Sequence, residues 1–120
     1  MSVTLWLEIG AIGGAGSVLR FLVDGAISSR VAGEFPWGTL AVNVSGSFVL
    51  GLLAGAAVGG DALLLAGAAT VGSYTTFSTW MLETHHLGED GERALLALNV
   101  GASLAAGLGA AELGRLVGAA

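Results

Sequence analysis

Gly72-Ser73-Tyr74-Thr75-Thr76-Phe77-Ser78-Thr79-Trp80 lies inside a long apolar run, where a membrane-spanning helix is expected. Yet the stretch carries five hydroxyl residues besides Tyr74 and opens on a glycine. Ser and Thr side chains bond nearby backbone groups and loosen the helical ladder. Glycine removes the side chain that would hold the helix regular. Non-helical backbone at membrane depth is tolerated only where it is buried in protein or lines a cavity. The stretch therefore predicts a helix interrupted within the membrane, presenting free carbonyls and hydroxyls. Phe77 and Trp80 fall one turn apart on one face.

The surrounding composition agrees with a membrane setting. The 120 residues are 54% hydrophobic and only 11% charged, with a mean hydropathy of +0.83. A soluble surface needs many more charges. At about 20 residues per span, the length allows roughly four spans with short loops and a single domain. There is no cysteine, which excludes disulfides and thiolate metal sites. A net charge of −5, with four arginines and no lysine, argues against nucleic-acid binding. The first residues lack a basic segment, so a cleaved signal peptide is not expected.

Four spans are expected, at about 3–27, 37–58, 62–86 and 94–117. The first holds Gly13-Gly14-Ala15-Gly16-Ser17, a small-residue face suited to close helix packing. Glu8 and Asp24 are read as interfacial, and Arg20 as a structural residue that can snorkel. Pro36 fits the first turn of the second helix, where a missing N–H is harmless. In that helix Gly51 and Gly55 form a contact face. Asn43, Ser45 and Ser47 are polar in apolar surroundings, and on its own Asn43 reads as an interhelical hydrogen bond. Gly59-Gly60-Asp61 is a turn, and Gly88 to Arg93 an acidic loop. In the fourth span Gly101, Gly107, Gly109 and Gly114 give small faces. Asn99 and Ser103 share a face at a spacing of four and read as helix–helix bonding.

Two chemical readings fail on the residues. Glu83, His85 and His86 crowd a helix end, and Glu83 to His86 is a metal-compatible spacing, but with no histidine beyond these they read as an interfacial cap. A Ser-His-Asp hydrolase lacks a nucleophile elbow, and Ser78 stands about two turns from His85 on one helix. The arginines are split between the two sides, with Arg30 and Arg93 opposite Arg115, so the charge bias barely orients the chain. Such a chain can insert both ways and pair head to tail as a two-fold dimer.

Three separated segments resemble the Fluc/CrcB fluoride channels. Gly13-Gly14-x-Gly16-x-x-x-Arg20-Phe21 is similar to the family's first-helix motif. Phe35-Pro36-x-Gly38-Thr39-Leu40-x-Val42-Asn43-x-x-Gly46-Ser47-Phe48 is similar to the second, and Gly72-x-x-Thr75-Thr76-Phe77-Ser78-Thr79 to the third. The resemblance covers essentially the whole chain. It implies an all-α membrane protein with four transmembrane helices per chain and a break in the third. The chain would assemble as an antiparallel, dual-topology dimer in the inner (plasma) membrane, with a second copy or a paralogous subunit. It implies a passive fluoride-export channel, not an enzyme, with a structural sodium ion between subunits. Carried over by motif, the sodium falls to the backbone carbonyls of Gly72 and Thr75. The fluoride pathway falls to Asn43, Phe77, Trp80, Ser78 or Thr79, and Ser103. Two positions depart from the family: Trp80 stands where phenylalanine is usual, and Asn99 where tyrosine is frequent.

The residue chemistry suits fluoride. A channel replaces a strongly held hydration shell with donors. Asn43 offers amide N–H groups, and Ser and Thr offer hydroxyls. Aromatic edges carry the positive end of the ring quadrupole. A buried sodium would add positive potential without holding the anion, and oxygen ligands suit such a hard cation. The rival reading is a small proton-coupled multidrug exporter, which needs a membrane-embedded carboxylate. Glu8 is its only candidate in the first span, near the start of that span. A glycine-packed scaffold leaves the hydroxyl cluster of Thr75 to Thr79 unexplained.

Overall fold

The computed structural model describes residues 2–120. Among these, every regular element is helical. α1 spans Val3–Ser28, α2 Trp37–Gly55, α3 Gly60–Leu63, a π-helix Leu64–Val71, α4 Gly72–Tyr74, α5 Ser78–Glu89 and α6 Arg93–Ala119. α1, α2 and α6 are long and apolar enough to cross a membrane. The third apolar region is not one helix. It is assembled from α3, the π-helix, α4, a non-helical step and α5. The chain is thus an all-helical membrane protein with several apolar spans.

Local sequence accounts for the helix ends. α1 begins where the Ser2 hydroxyl accepts the Leu5 N–H at 3.1 Å, a side-chain cap of an otherwise orphaned donor. α2 begins after Pro36, whose ring fixes φ near its helical value. It ends at Gly55 rather than near residue 58, because Ala57 takes a positive φ of 56°. That left-handed residue turns the chain into α3. Gly91, with φ 76°, makes the corresponding turn before α6.

α2 and α6 pack backbone to backbone. A Cβ at Gly51 or Gly55 would run into the carbonyls of Ala111 and Arg115. A Cβ at Gly114 or Gly118 would run into those of Phe48 and Leu52. The two glycine pairs, each at a spacing of four, therefore line both sides of one seam. Gly101 and Gly109 of α6 face open space instead. The glycine face of α1 meets the third region: a Cβ at Gly16 would run into Ser73 and the Thr70 carbonyl, and a Cβ at Gly13 would stand 3.6 Å from the Ala69 carbonyl oxygen.

The apolar core is small, with Leu5, Val42, Ala69, Val71 and Leu87 buried. Trp6, Leu7, Phe21, Leu22, Leu104 and Leu108 point outward. Large apolar side chains covering the outside of a helical bundle suit a lipid solvent and would be a liability in water. The molecule is 49 Å long, enough to exceed a hydrocarbon core of about 30 Å.

Candidate functional site

The third region leaves helical geometry at Thr75, whose φ and ψ are −78° and 161°. Helix resumes at Ser78. Two side chains take over the bonds that the backbone gives up. The Thr76 N–H donates to Asn43 Oδ1 at 2.8 Å, and Asn43 Nδ2 donates to the Thr76 carbonyl at 2.8 Å. One amide side chain on α2 thus satisfies both backbone groups of one residue in the break. The Thr76 hydroxyl in turn accepts the N–H of Thr79, in the first turn of α5, at 3.2 Å. Gly46 lets α2 approach closely, since a Cβ there would strike the Thr75 methyl group.

These substitutions leave specific carbonyls free. In a continuous helix the Gly72 carbonyl would accept the Thr76 N–H, and the Thr75 carbonyl the Thr79 N–H. Both donors go to side chains instead. The carbonyls of Gly72 and Thr75 are therefore released from their helical partners, and both residues line an apolar groove of about 640 Å³ with Leu50, Leu64 and Val71. Neutral oxygen donors of this kind suit a hard monovalent cation, so the residues present fit a sodium ion.

A second cavity, of about 260 Å³, is lined by Asn43, Ser47, Thr75, Thr76, Phe77 and Trp80 among others. The Phe77 and Trp80 rings meet edge to face, with centroids 5.7 Å apart and planes at 78°. Phe77 is 69% exposed in the single chain, so most of its ring remains available. Trp80 is fixed from α6. Its Nε1 donates to the Asn99 carbonyl at 3.3 Å. The Thr84 hydroxyl donates to the Trp80 carbonyl at 2.7 Å and accepts from Asn99 Nδ2 at 2.9 Å. Thr84 has one proton to give, so this chain of bonds fixes the orientation of the Asn99 amide. Asn99 is fully buried, and its Oδ1 and the Ser103 hydroxyl have no hydrogen-bond partner among the described residues.

The structure brings Asn43, Phe77 and Trp80 together around one cavity, with Thr75 on its wall. Ser78 is exposed and outside it, and Thr79 lines a neighbouring cavity with Arg20. Ser103 lies apart on α6, its hydroxyl buried. Ser47 and Thr84 carry roles that sequence reasoning did not assign. The spacing of Trp80 and Thr84, one helical turn apart, was the available signal for the second. Glu83, expected as an interfacial cap, accepts a 2.5 Å hydrogen bond from the Thr39 hydroxyl.

Fold and site together define a multi-pass helical membrane protein in which a polar interruption of one apolar region borders a cavity edged by two aromatic rings. The chain belongs to the CrcB family: the family model described as CrcB-like protein, Camphor Resistance (CrcB), matches residues 7–115. It is 52% identical over 117 residues to the Fluoride-specific ion channel FluC 2 of Mycobacterium tuberculosis, covering 98% of this chain and 93% of that protein. It is 51% identical over 110 residues to the Fluoride-specific ion channel FluC 1 of Rubrobacter xylanophilus, covering 91% of this chain and 89% of the relative.

Proposed function

We propose that this chain is a fluoride-selective channel that lets cytoplasmic fluoride leave the cell passively and so protects against fluoride toxicity. It is a transporter and not an enzyme. The observation that carries the reading is the Asn43–Thr76 clamp beside the Phe77 and Trp80 rings. The clamp uses one of the two Asn43 amide protons, leaving the other as a donor at the cavity wall. Hydroxyls and positive ring edges continue the set of neutral contacts. Weak, successive contacts suit conduction, because a fixed cation would hold the anion too tightly to let it go. The names of the relatives agree. The exporter reading has less support: Glu8 is exposed on α1 and lines none of the cavities described above.

The decisive experiment is fluoride efflux from liposomes holding the purified protein alone. Efflux above that of empty liposomes, with chloride excluded, is expected. Phe77→Ile tests the aromatic contact in the same assay. An aliphatic side chain lacks the positive ring edge, so a slowing of about tenfold is expected. Unchanged efflux would remove Phe77 from the pathway.

We infer further that four spans per chain assemble as an antiparallel dual-topology dimer in the inner membrane, with a second copy or a paralogous subunit. The open apolar groove that holds Gly72 and Thr75 supports burial against a partner. Their released carbonyls support a sodium ion shared there, which would supply positive potential from the dimer centre. A single cysteine introduced as Ala120→Cys should label from both sides of a native membrane. Labelling from one side alone would rule out dual topology and leave a fixed-orientation pair.

A further inference from the structure

Besides the aromatic cavity, Thr76 lines another, of about 190 Å³, together with Arg20, Phe21, Asp24, Thr39, Val42 and Thr79. Thr76, which Asn43 holds, thus borders both cavities. If fluoride passes the clamp, this cavity is its antechamber. Its lining carries one cation and one anion. Arg20 and Asp24 are one turn apart on α1, yet no ion pair joins them among the described residues. Asp24 is held instead by the Ser28 hydroxyl, which donates to its Oδ1 at 3.1 Å. Its carboxylate also lies against Gly38 in the first turn of α2, where a Cβ would collide with it. Neither charge is neutralised by a direct ion pair with the other. α2 carries no ionisable residue, and neither does the break. The other charged or titratable groups nearby are Glu83, bound to Thr39, and His86, both on α5.

We propose that Asp24 is a throughput-determining residue: its negative charge offsets the pull of Arg20 and limits how fast fluoride enters the antechamber. The inference rests on the channel reading given above. An anion approaching the cavity is drawn by the guanidinium and repelled by the carboxylate, both on its lining. Surface and cleft potentials of a few kT alter local ion concentration and entry rate strongly, and salt screens them. Removing the Asp24 charge leaves Arg20 opposed only by the more distant Glu83 behind Thr39.

The test is liposome efflux at fluoride concentrations well below saturation, where entry limits the flux. Asp24→Asn keeps the shape and the acceptor for Ser28. It should raise the efflux rate about threefold to tenfold at ~20 mM ionic strength, and the gain should shrink below about twofold at ~1 M. Asp24→Ala, which removes the same charge with a different shape, should change the rate in the same direction. A purely structural role for Asp24 would slow efflux in both variants and give no salt-dependent gain. Unchanged or slower efflux in both variants, or loss of folded protein in both, overturns the assignment while wild-type efflux stands. Silent wild-type liposomes overturn the channel reading itself, and this inference with it.

Discussion

Asn43→Asp is expected to lower fluoride efflux at least a hundredfold, and further than Asn43→Ala. The geometry gives two reasons. The Asn43 side chain both donates to and accepts from Thr76, at 2.8 Å each way. A carboxylate keeps the acceptor but loses the donor, and sets negative oxygen against the Thr76 carbonyl. It also places a fixed anion beside the path of an anion, in surroundings that screen charge poorly. A repulsion of several kcal/mol is a factor of a hundred or more in rate. Asn43→Ala loses both bonds but adds no charge, so part of the flux should survive. The two variants therefore separate a pathway role from a purely structural one. If Asn43 only held the break together, the loss of efflux in each variant would follow its loss of assembled protein. Efflux from liposomes, with size-exclusion chromatography to check assembly, makes the comparison. Wild-type efflux in Asn43→Asp would remove the clamp from the pathway.

Gly51→Val is expected to destabilise the fold itself by about 3 kcal/mol or more, a shift of over a hundredfold in the folding equilibrium. A Cβ at Gly51 meets the Ala111 carbonyl oxygen, with that residue's carbonyl carbon and Cα behind it. A flexible side chain could move aside, but helical backbone cannot do so without opening the α2–α6 seam. The same obstruction recurs at Gly55, Gly114 and Gly118. Gly109→Ala is the matched control. Nothing lies within 4 Å of a Cβ there, so only the intrinsic helix preference changes, by about 1 kcal/mol in favour of alanine. Unfolding in detergent titrated with sodium dodecyl sulfate measures both. Equal stability of Gly51→Val and wild type would show that the α2–α6 seam is looser than its glycines require.

Much of this protein was legible in its residues because the constraints behind them are local. Apolar runs of about 20 residues announce helices that cross a membrane. Glycines at a spacing of four announce close contact, and Gly51 and Gly55 keep that promise against α6. The hydroxyl cluster from Ser73 to Thr79 marked the place where helical bonding fails, since Ser and Thr compete with the backbone for its partners. The motif resemblance alone placed Asn43, Phe77 and Trp80 in one functional set.

Partner choice was not legible. That Asn43 answers Thr76, 33 residues away, depends on how α2 lies beside the break, and Gly46 sets that approach. The Asn99–Thr84–Trp80 chain of bonds likewise joins two helices across a turn. Residue type states what a side chain can donate or accept, and only packing states what it meets. The same holds for Arg20 and Asp24: one turn apart on α1, they read as a structural, snorkelling arginine and an interfacial carboxylate, and the fold sets both on the wall of one cavity. The sequence by itself determined an apolar helical chain interrupted within Gly72 to Trp80, because hydropathy and backbone competition act over a few residues. Tertiary structure decided which carbonyls are released and which charges share a cavity, because those follow from contacts between segments far apart in the chain.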